Sequence, residues 1–176
     1  MRKLLVLTLA LGLITLTASA DLIDQEQNGA SLYMAAFSQL DLAQSFQQAN
    51  PNISGAGINL HAGTGSTDNV TISLWDALPN AGGNMLASGS AMGTEGDWVD
   101  VYWGVTPVVP GQTYYLVFDG NMTLGINGDV DLYPYGHVFA NPGFNPFTQY
   151  DYTFHTYYSE TTATQETSWT SIKSLF

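Results

Sequence analysis

The sequence predicts an all-β protein folded as an antiparallel β-sandwich, and three observations carry that expectation. The first is the stretch Asn69–Ala91, NVTISLWDALPNAGGNMLASGSA. Val70, Ile72 and Leu74 alternate with Thr71, Ser73 and Trp75. A period of two marks a strand with one face in the core and the other outside. Pro79, Asn80, Gly82 and Gly83 then interrupt the run, and Met85 to Ala91 reads as an extended return. The second observation is repetition: eight or so short extended runs follow at regular spacing, divided by turn residues. The third is the near absence of helix-forming stretches from the body of the chain.

The elements follow in order. Residues 1–20 have the plan of a cleaved secretory signal helix: basic Arg2 and Lys3, an apolar run from Leu4 to Leu16, and Ala18-Ser19-Ala20 before Asp21. The apolar run is shorter than the ~20 residues a membrane span needs, and no cysteine is present for lipid attachment. Residues 21–41 read as a polar, acidic lead-in ending in a short element. Leu32, Tyr33, Ala36, Phe37 and Leu40 have helical spacing there, whereas Leu42, Gln44 and Phe46 alternate as a strand over Leu42–Gln47. Residues 42–158 form the sandwich domain. Ile53–His61 alternates, and Gly63–Ser66 is a turn. In Trp98–Trp103, Val99, Val101 and Trp103 oppose Trp98, Asp100 and Tyr102. Pro107–Gly111 is a loop. Thr113–Asp119 is apolar on both faces, which predicts a central strand. Asp119-Gly120-Asn121 signals a tight hairpin, Leu124 and Ile126 continue a strand, and Asn127-Gly128 turns again. Tyr133–Tyr150 is a long aromatic connection, and Tyr152–Tyr158 is the last strand. Residues 159–176 are a Thr-rich linker and short tail, where Ser168 caps a helical spacing of Trp169, Ile172 and Phe176.

Composition excludes several functions. Once residues 1–20 are removed, Lys173 is the one base against 15 acids. Such a chain repels nucleic acid and anionic lipid, and it keeps no arginine to clamp phosphate or carboxylate. The segment after residue 20 has no long apolar run, so no membrane insertion is expected. No disulfide is available, so the core alone must hold an exported domain.

Catalysis is not expected. There is no cysteine, no G-x-S-x-G elbow and no H-E-x-x-H, and His61, His137 and His155 are scattered. Asp129 and Asp131 would share a strand face about 7 Å apart, whereas hydrolytic carboxylates flank a bond from opposite sides. Calcium takes six to eight oxygens from carboxylates, amides and carbonyls. Asp119, Asn121, Asp129 and Asp131 form the candidate set, in two turns that a hairpin would bring together; the same residues also serve ordinary Asp and Asn turns. For a ligand, the connection YPYGHVFANPGFNPFTQY offers flat rings stiffened by prolines. Tyr133, Tyr135, Phe147 and Tyr150 are expected to be partly exposed and to contact a neutral polyhydroxyl ligand. Asn145 and Gln149 supply neutral donors and acceptors, Phe139 is buried, and Trp75 and Trp98 extend the surface if they lie on the same side. The competing use of these rings is to plug the end of the sandwich.

Five pieces of the chain resemble a known group: Ala43-Gln44-Ser45-Phe46, Val70–Trp75, Gly82–Ala87, Pro110-Gly111-Gln112-Thr113-Tyr114-Tyr115, and Asp151–Tyr157. They are similar to the bacterial exported β-sandwich domains known as choice-of-anchor or PEP-CTERM-associated domains. The resemblance implies a jelly-roll-like fold similar to carbohydrate-binding modules, a cell-surface or matrix location, and no catalytic residues. Two features depart from it. Residues 161–176 lack an apolar anchor with a basic end, and His155 stands where the group would carry arginine. The functional expectation is therefore a secreted, non-catalytic module that binds carbohydrate or another extracellular ligand. The alternative is a structural surface or matrix protein without a small ligand.

Overall fold

The computed structural model describes residues 19–161. The expected signal helix, apart from its last two residues, and the tail beyond residue 161 lie outside them. Thirteen strands run through the described residues: β1 (Ser19–Gln27), β2 (Leu32–Ala36), β3 (Leu42–Gln47), β4 (Asn52–Asn59), β5 (Thr67–Trp75), β6 (Met85–Thr94) and β7 (Trp98–Pro107) come first. β8 (Thr113–Gly120), β9 (Gly125–Val130), β10 (Val138–Ala140), β11 (Asn145–Phe147), β12 (Tyr150–Tyr152) and β13 (Phe154–Thr161) complete the set. Two single-turn 3-10 helices, Phe37–Gln39 and Pro79–Ala81, are the helical elements among these residues. The protein is all-β.

The strands form three sheets: β11-β10-β3-β8-β5-β6, β1-β13-β4-β7 and β12-β9-β2. The pairings among β2 to β13 are antiparallel, and a bridge between Leu60 and Ile126 links the two smaller sheets. The alternation read in the sequence fixes which side chains turn inward. Val70, Ile72 and Leu74 of β5 meet Val99 and Val101 of β7, Leu116 and Phe118 of β8, and Phe154 of β13 in one buried core shared by all three sheets. The arrangement is sandwich-like. As expected, β8 is central, between β3 and β5. Its outward Tyr115 and Val117 pack on a second cluster of Ala43, Phe139 and Phe144, which is why both of its faces are apolar.

One edge is closed by small residues. Along β6 the side chains facing the core are Ala87, Gly89, Ala91 and Gly93, between exposed Ser88, Ser90 and Met92. A Cβ at Gly89 would collide with Val101, and one at Gly93 would lie 2.7 Å from Leu60. The small side chains let β7 lie directly across β6, where larger ones would hold the two sheets apart.

Three local expectations are corrected. Asp21–Asn28 is not a loose lead-in, because β1 extends the four-stranded sheet beside β13; the short element expected before β3 is the strand β2, which pairs with β9. Asp24 helps fasten β1, its carboxylate accepting from Ala49 N at 2.7 Å and Asn50 Nδ2 at 2.6 Å. Asp119-Gly120-Asn121 does not close a hairpin. Both edges of β8 are already taken by β3 and β5, so the turn carries the chain to another sheet, where β9 pairs with β2 and β12. Asn127-Gly128 is not a turn either but the middle of β9, where the Asn127 amide donates to Asn59 Oδ1 at 2.6 Å.

Backbone strain gathers where the chain enters β3. Leu40 stands at φ 62, ψ 164 and Asp41 at φ 48, conformations that disfavour a Cβ. They are held from across the chain by Asn141 N donating to Leu40 O and by Gly143 N donating to Asp41 Oδ2 at 2.7 Å.

Candidate functional site

The outer face of β13-β4-β7 carries the richest cluster of rings and charge. Strand alternation puts Trp98, Asp100 and Tyr102 of β7 on the side opposite Val99 and Val101. Register brings β13 to meet them. Asp100 lies opposite Gly57, and Gly57 opposite His155; Tyr102 lies opposite Gly55, and Gly55 opposite Tyr157. Each row therefore has a glycine in the middle strand. Side chains two strands apart stand about 9–10 Å from each other at the backbone, too far to touch over an ordinary residue. With no Cβ between them they lean inward and meet. A Cβ at Gly57 would strike Asp100 Oδ1 and His155 Nε2, and one at Gly55 would lie 2.9 Å from the Tyr102 ring.

His155 Nε2 and Asp100 Oδ1 are 2.5 Å apart, and the Tyr157 hydroxyl donates to the same oxygen at 3.1 Å. Burial pushes the Asp100 carboxyl up, but the His155 hydrogen bond and charge, with the Tyr157 hydroxyl, outweigh it and hold the group below its usual range. Among the described residues, Asp100 Oδ2 receives no hydrogen bond and stays open to a ligand. The rings form a continuous floor. Trp98 stacks on His155 at 4.3 Å and 18°, His155 meets Tyr157 edge-on at 4.9 Å, and Tyr157 lies 5.0 Å from Tyr102. His155 is buried, Trp98, Asp100 and Tyr157 are half-buried, and Tyr102 is 53% exposed. Trp98 and Tyr102, four residues apart on one strand, span about 13 Å. The result is a row of rings with Trp98 at one end, Tyr102 at the other and a carboxylate between them.

The ring residues read from the Tyr133–Tyr150 connection divide. Tyr133 is not a surface residue. It is 5% exposed, edge-on to Phe154 at 5.2 Å, and its hydroxyl donates to Gln25 Oε1 at 2.9 Å. The cause is Asp151. Its wholly buried carboxylate accepts from Leu132 N at 2.9 Å, Tyr133 N at 2.8 Å and Gln44 Nε2 at 2.9 Å, pulling the start of the connection inward. Burial pushes the Asp151 carboxyl up, and these three donors only partly offset that. Tyr135 is 56% exposed, Phe147 and Tyr150 are half-buried, Asn145 and Gln149 are exposed, and Phe139 is buried at 8%. Phe147 and Tyr150 line one small cavity, whereas Tyr135 lines a different depression with Gln25 and Gln47. Trp75 lies in the six-stranded sheet and Trp98 in the four-stranded one, so they do not form one surface.

The four calcium candidates are not brought together. Asn121 turns its amide to Asp68 Oδ2 at 2.5 Å. Asp129 accepts from Ser31 N and Val130 N, Asp119 accepts from Gly120 N, and Asp131 is exposed beyond the end of β9. The reason is the missing hairpin, since β8 and β9 belong to different sheets. Among the described residues no three His, Asp or Glu side chains gather as a metal group.

The alternation of Trp98, Asp100 and Tyr102 was legible in the sequence. Their meeting with His155 and Tyr157 was not, because it depends on β4 lying between two strands distant in the chain. The spacing Gly55-Ala56-Gly57 was the available signal. Comparison with known protein families, with curated proteins and with solved structures finds no match to this chain.

Proposed function

We propose that this chain is a non-catalytic, exported module that binds a neutral polysaccharide along the row formed by Trp98, Asp100, Tyr102, His155 and Tyr157. The observation that carries this reading is the pairing of the exposed Tyr102 ring and the half-buried Trp98 ring with an Asp100 oxygen that receives no hydrogen bond. A pyranose presents a flat C–H face and a rim of hydroxyls. The first packs on Trp and Tyr rings, and the second donates to Asp100 Oδ2. A span of about 13 Å suits a chain of sugars rather than one. The excess of 15 acids over few bases speaks against uronic or sulfated polymers. The non-catalytic reading rests on the sequence, which holds no cysteine, no G-x-S-x-G elbow and no H-E-x-x-H. A jelly-roll-like topology and kinship with choice-of-anchor domains belong to the same proposal, as does release through a signal peptide to the cell exterior.

The test is a glycan array followed by affinity electrophoresis on neutral and acidic polysaccharides. Trp98→Ala and Tyr102→Ala are each expected to weaken retention at least tenfold, about 1.4 kcal/mol, with little change in melting temperature. Binding that survives both substitutions refutes the site. Failure to retain any neutral glycan favours the structural reading instead.

A further inference from the structure

The outer edge of β6 is open. β6 ends the six-stranded sheet, and among the described residues its backbone pairs with β5 alone. An edge strand carries a row of unpaired N–H and C=O groups, and proteins usually blunt it with charge, proline, a bulge or short length. The other edges here are blunted in those ways. β1 carries Asp21, Asp24 and Glu26. β7 carries Asp100 and Pro107 and shifts register between Ile53 and Gly55 of its partner. β11 and β12 have three residues each, and β2 has five with a shift at Tyr33–Ala35. β6 has ten residues, MLASGSAMGT, with neither charge nor proline. Its one register shift falls at Leu86, and Ala87–Thr94 runs regularly along β5.

The strand also reads alike in both directions about Gly89. Ala87-Ser88-Gly89-Ser90-Ala91 is a palindrome, flanked by exposed Leu86 and Met92. We propose that β6 pairs antiparallel with β6 of a second copy of this chain, about a two-fold axis at Gly89. A closed two-fold contact requires one patch to complement itself, and the palindrome does so. Ser88 of one copy opposes Ser90 of the other, Ala87 opposes Ala91, and Leu86 comes beside Met92 as an apolar pair. Charge favours the same place. The described residues hold no lysine or arginine, so two copies repel wherever their acids meet, whereas Ala77–Thr94 carries no charge. One added ladder is an interface at the low end of the size range, below ~1,200 Å². The pair is therefore concentration-dependent, and salt, which screens the acids, strengthens it. The axis stands normal to the sheet, so the ring rows of both copies face the same side. The pairing does not rest on what those rows bind.

The test is sedimentation of the full chain over a range of concentrations at low and high salt. A monomer–dimer equilibrium is expected, moving toward dimer as either rises. The chain has no cysteine, so single thiols report the register. Ser88→Cys and Ser90→Cys chains, mixed under mild oxidation, should cross-link to each other more than either does to itself. Opposed residues lie within disulfide reach, whereas like residues sit on a diagonal. Met122→Cys, exposed elsewhere, is the control and should cross-link least. Ser90→Glu sets an acid with no matching base on the edge and should weaken dimerisation roughly tenfold, with the circular-dichroism spectrum kept. Monomer at every concentration up to about 1 mM, growth beyond the dimer, or undiminished dimerisation of Ser90→Glu overturns the pair. Ser88→Cys that cross-links to itself as readily as to Ser90→Cys overturns the register.

Discussion

Gln44→Glu changes one atom of a buried network and should turn a stable protein into a pH-dependent one. Gln44 is wholly buried. Its Nε2 donates to Asp151 Oδ1 at 2.9 Å and to Ser45 O at 3.1 Å, while its Oε1 accepts from Tyr152 N at 2.9 Å. The Tyr152 bond fixes which end of the amide faces Asp151. The substitution therefore sets a carboxyl oxygen against a carboxylate oxygen. Two charges at that separation repel by about 6 kcal/mol even at an effective dielectric constant of 20. The folded protein avoids this by holding one proton at the pair. Taking it up at pH 7.5 costs about 1.4 kcal/mol for each unit above the unfolded Glu value near 4.3, or about 4 kcal/mol. At pH 4 the proton is nearly free, and the new hydroxyl donates to Asp151 in place of Nε2. The remaining loss is then the Ser45 bond, about 1 kcal/mol. The sign is that of a group whose folded pKa is raised: its stability is present below about 4.3 and lost as pH rises toward the folded value. Urea denaturation at pH 4 and pH 7.5, read at constant slope, measures the difference. An equal loss at both values, or none at either, refutes the assignment of the Gln44 amide and of Asp151 as its acceptor.

Other outcomes are expected from the same structure. Ile72→Ala or Leu116→Ala, each at a side chain with no exposure, should cost about 2–5 kcal/mol in chemical denaturation; a loss below 1 kcal/mol would mean the core is not where it is described. Leu40→Gly should stabilise by about 1 kcal/mol, since an exposed leucine at φ 62, ψ 164 sits where glycine is nearly strain-free; a lower melting temperature would contradict it. Gly57→Ala should prise Asp100 from His155 and lower both stability and polysaccharide retention, whereas binding at natural strength would show that the pair is not needed. The depressed Asp100 carboxyl stabilises the fold above its unfolded value near 3.8, and that contribution is lost as pH falls through the lower folded value; Asp100→Asn should flatten that limb of an acid titration.

Elements defined by local alternation were legible in the sequence. Val70, Ile72 and Leu74 announce β5, and the unbroken apolar character of Thr113–Asp119 announces a central strand; both follow from one side chain in two facing the core. Pairing between distant strands was not legible. Asp119-Gly120-Asn121 has the residues of a hairpin, yet the partners of β8 are β3 and β5, which no local signal names. The same gap hid the site. Trp98, Asp100 and Tyr102 were visibly on one face, but His155 reaches Asp100 only across Gly57. Tyr133 was misread because its composition is that of a surface ring, while its position is set by a buried carboxylate 18 residues later.

The neighbours in the four-stranded sheet have a consequence for how the chain comes to fold. Its order places β1, which starts at Ser19, beside β13, which ends at Thr161. β1 leaves the ribosome long before β13 and must wait for it. Closing a loop of that length adds an entropic cost early in folding that only late contacts offset. The row of rings depends on the same event, because His155 and Tyr157 belong to β13. A chain still being synthesised, or one cut short before Phe154, holds Trp98 and Tyr102 but has no floor beneath them. Refolding followed by intrinsic fluorescence should therefore be slow for a domain of this size. The stacking of Trp98 on His155 should appear in the final phase, together with protection of the β1 amides from exchange.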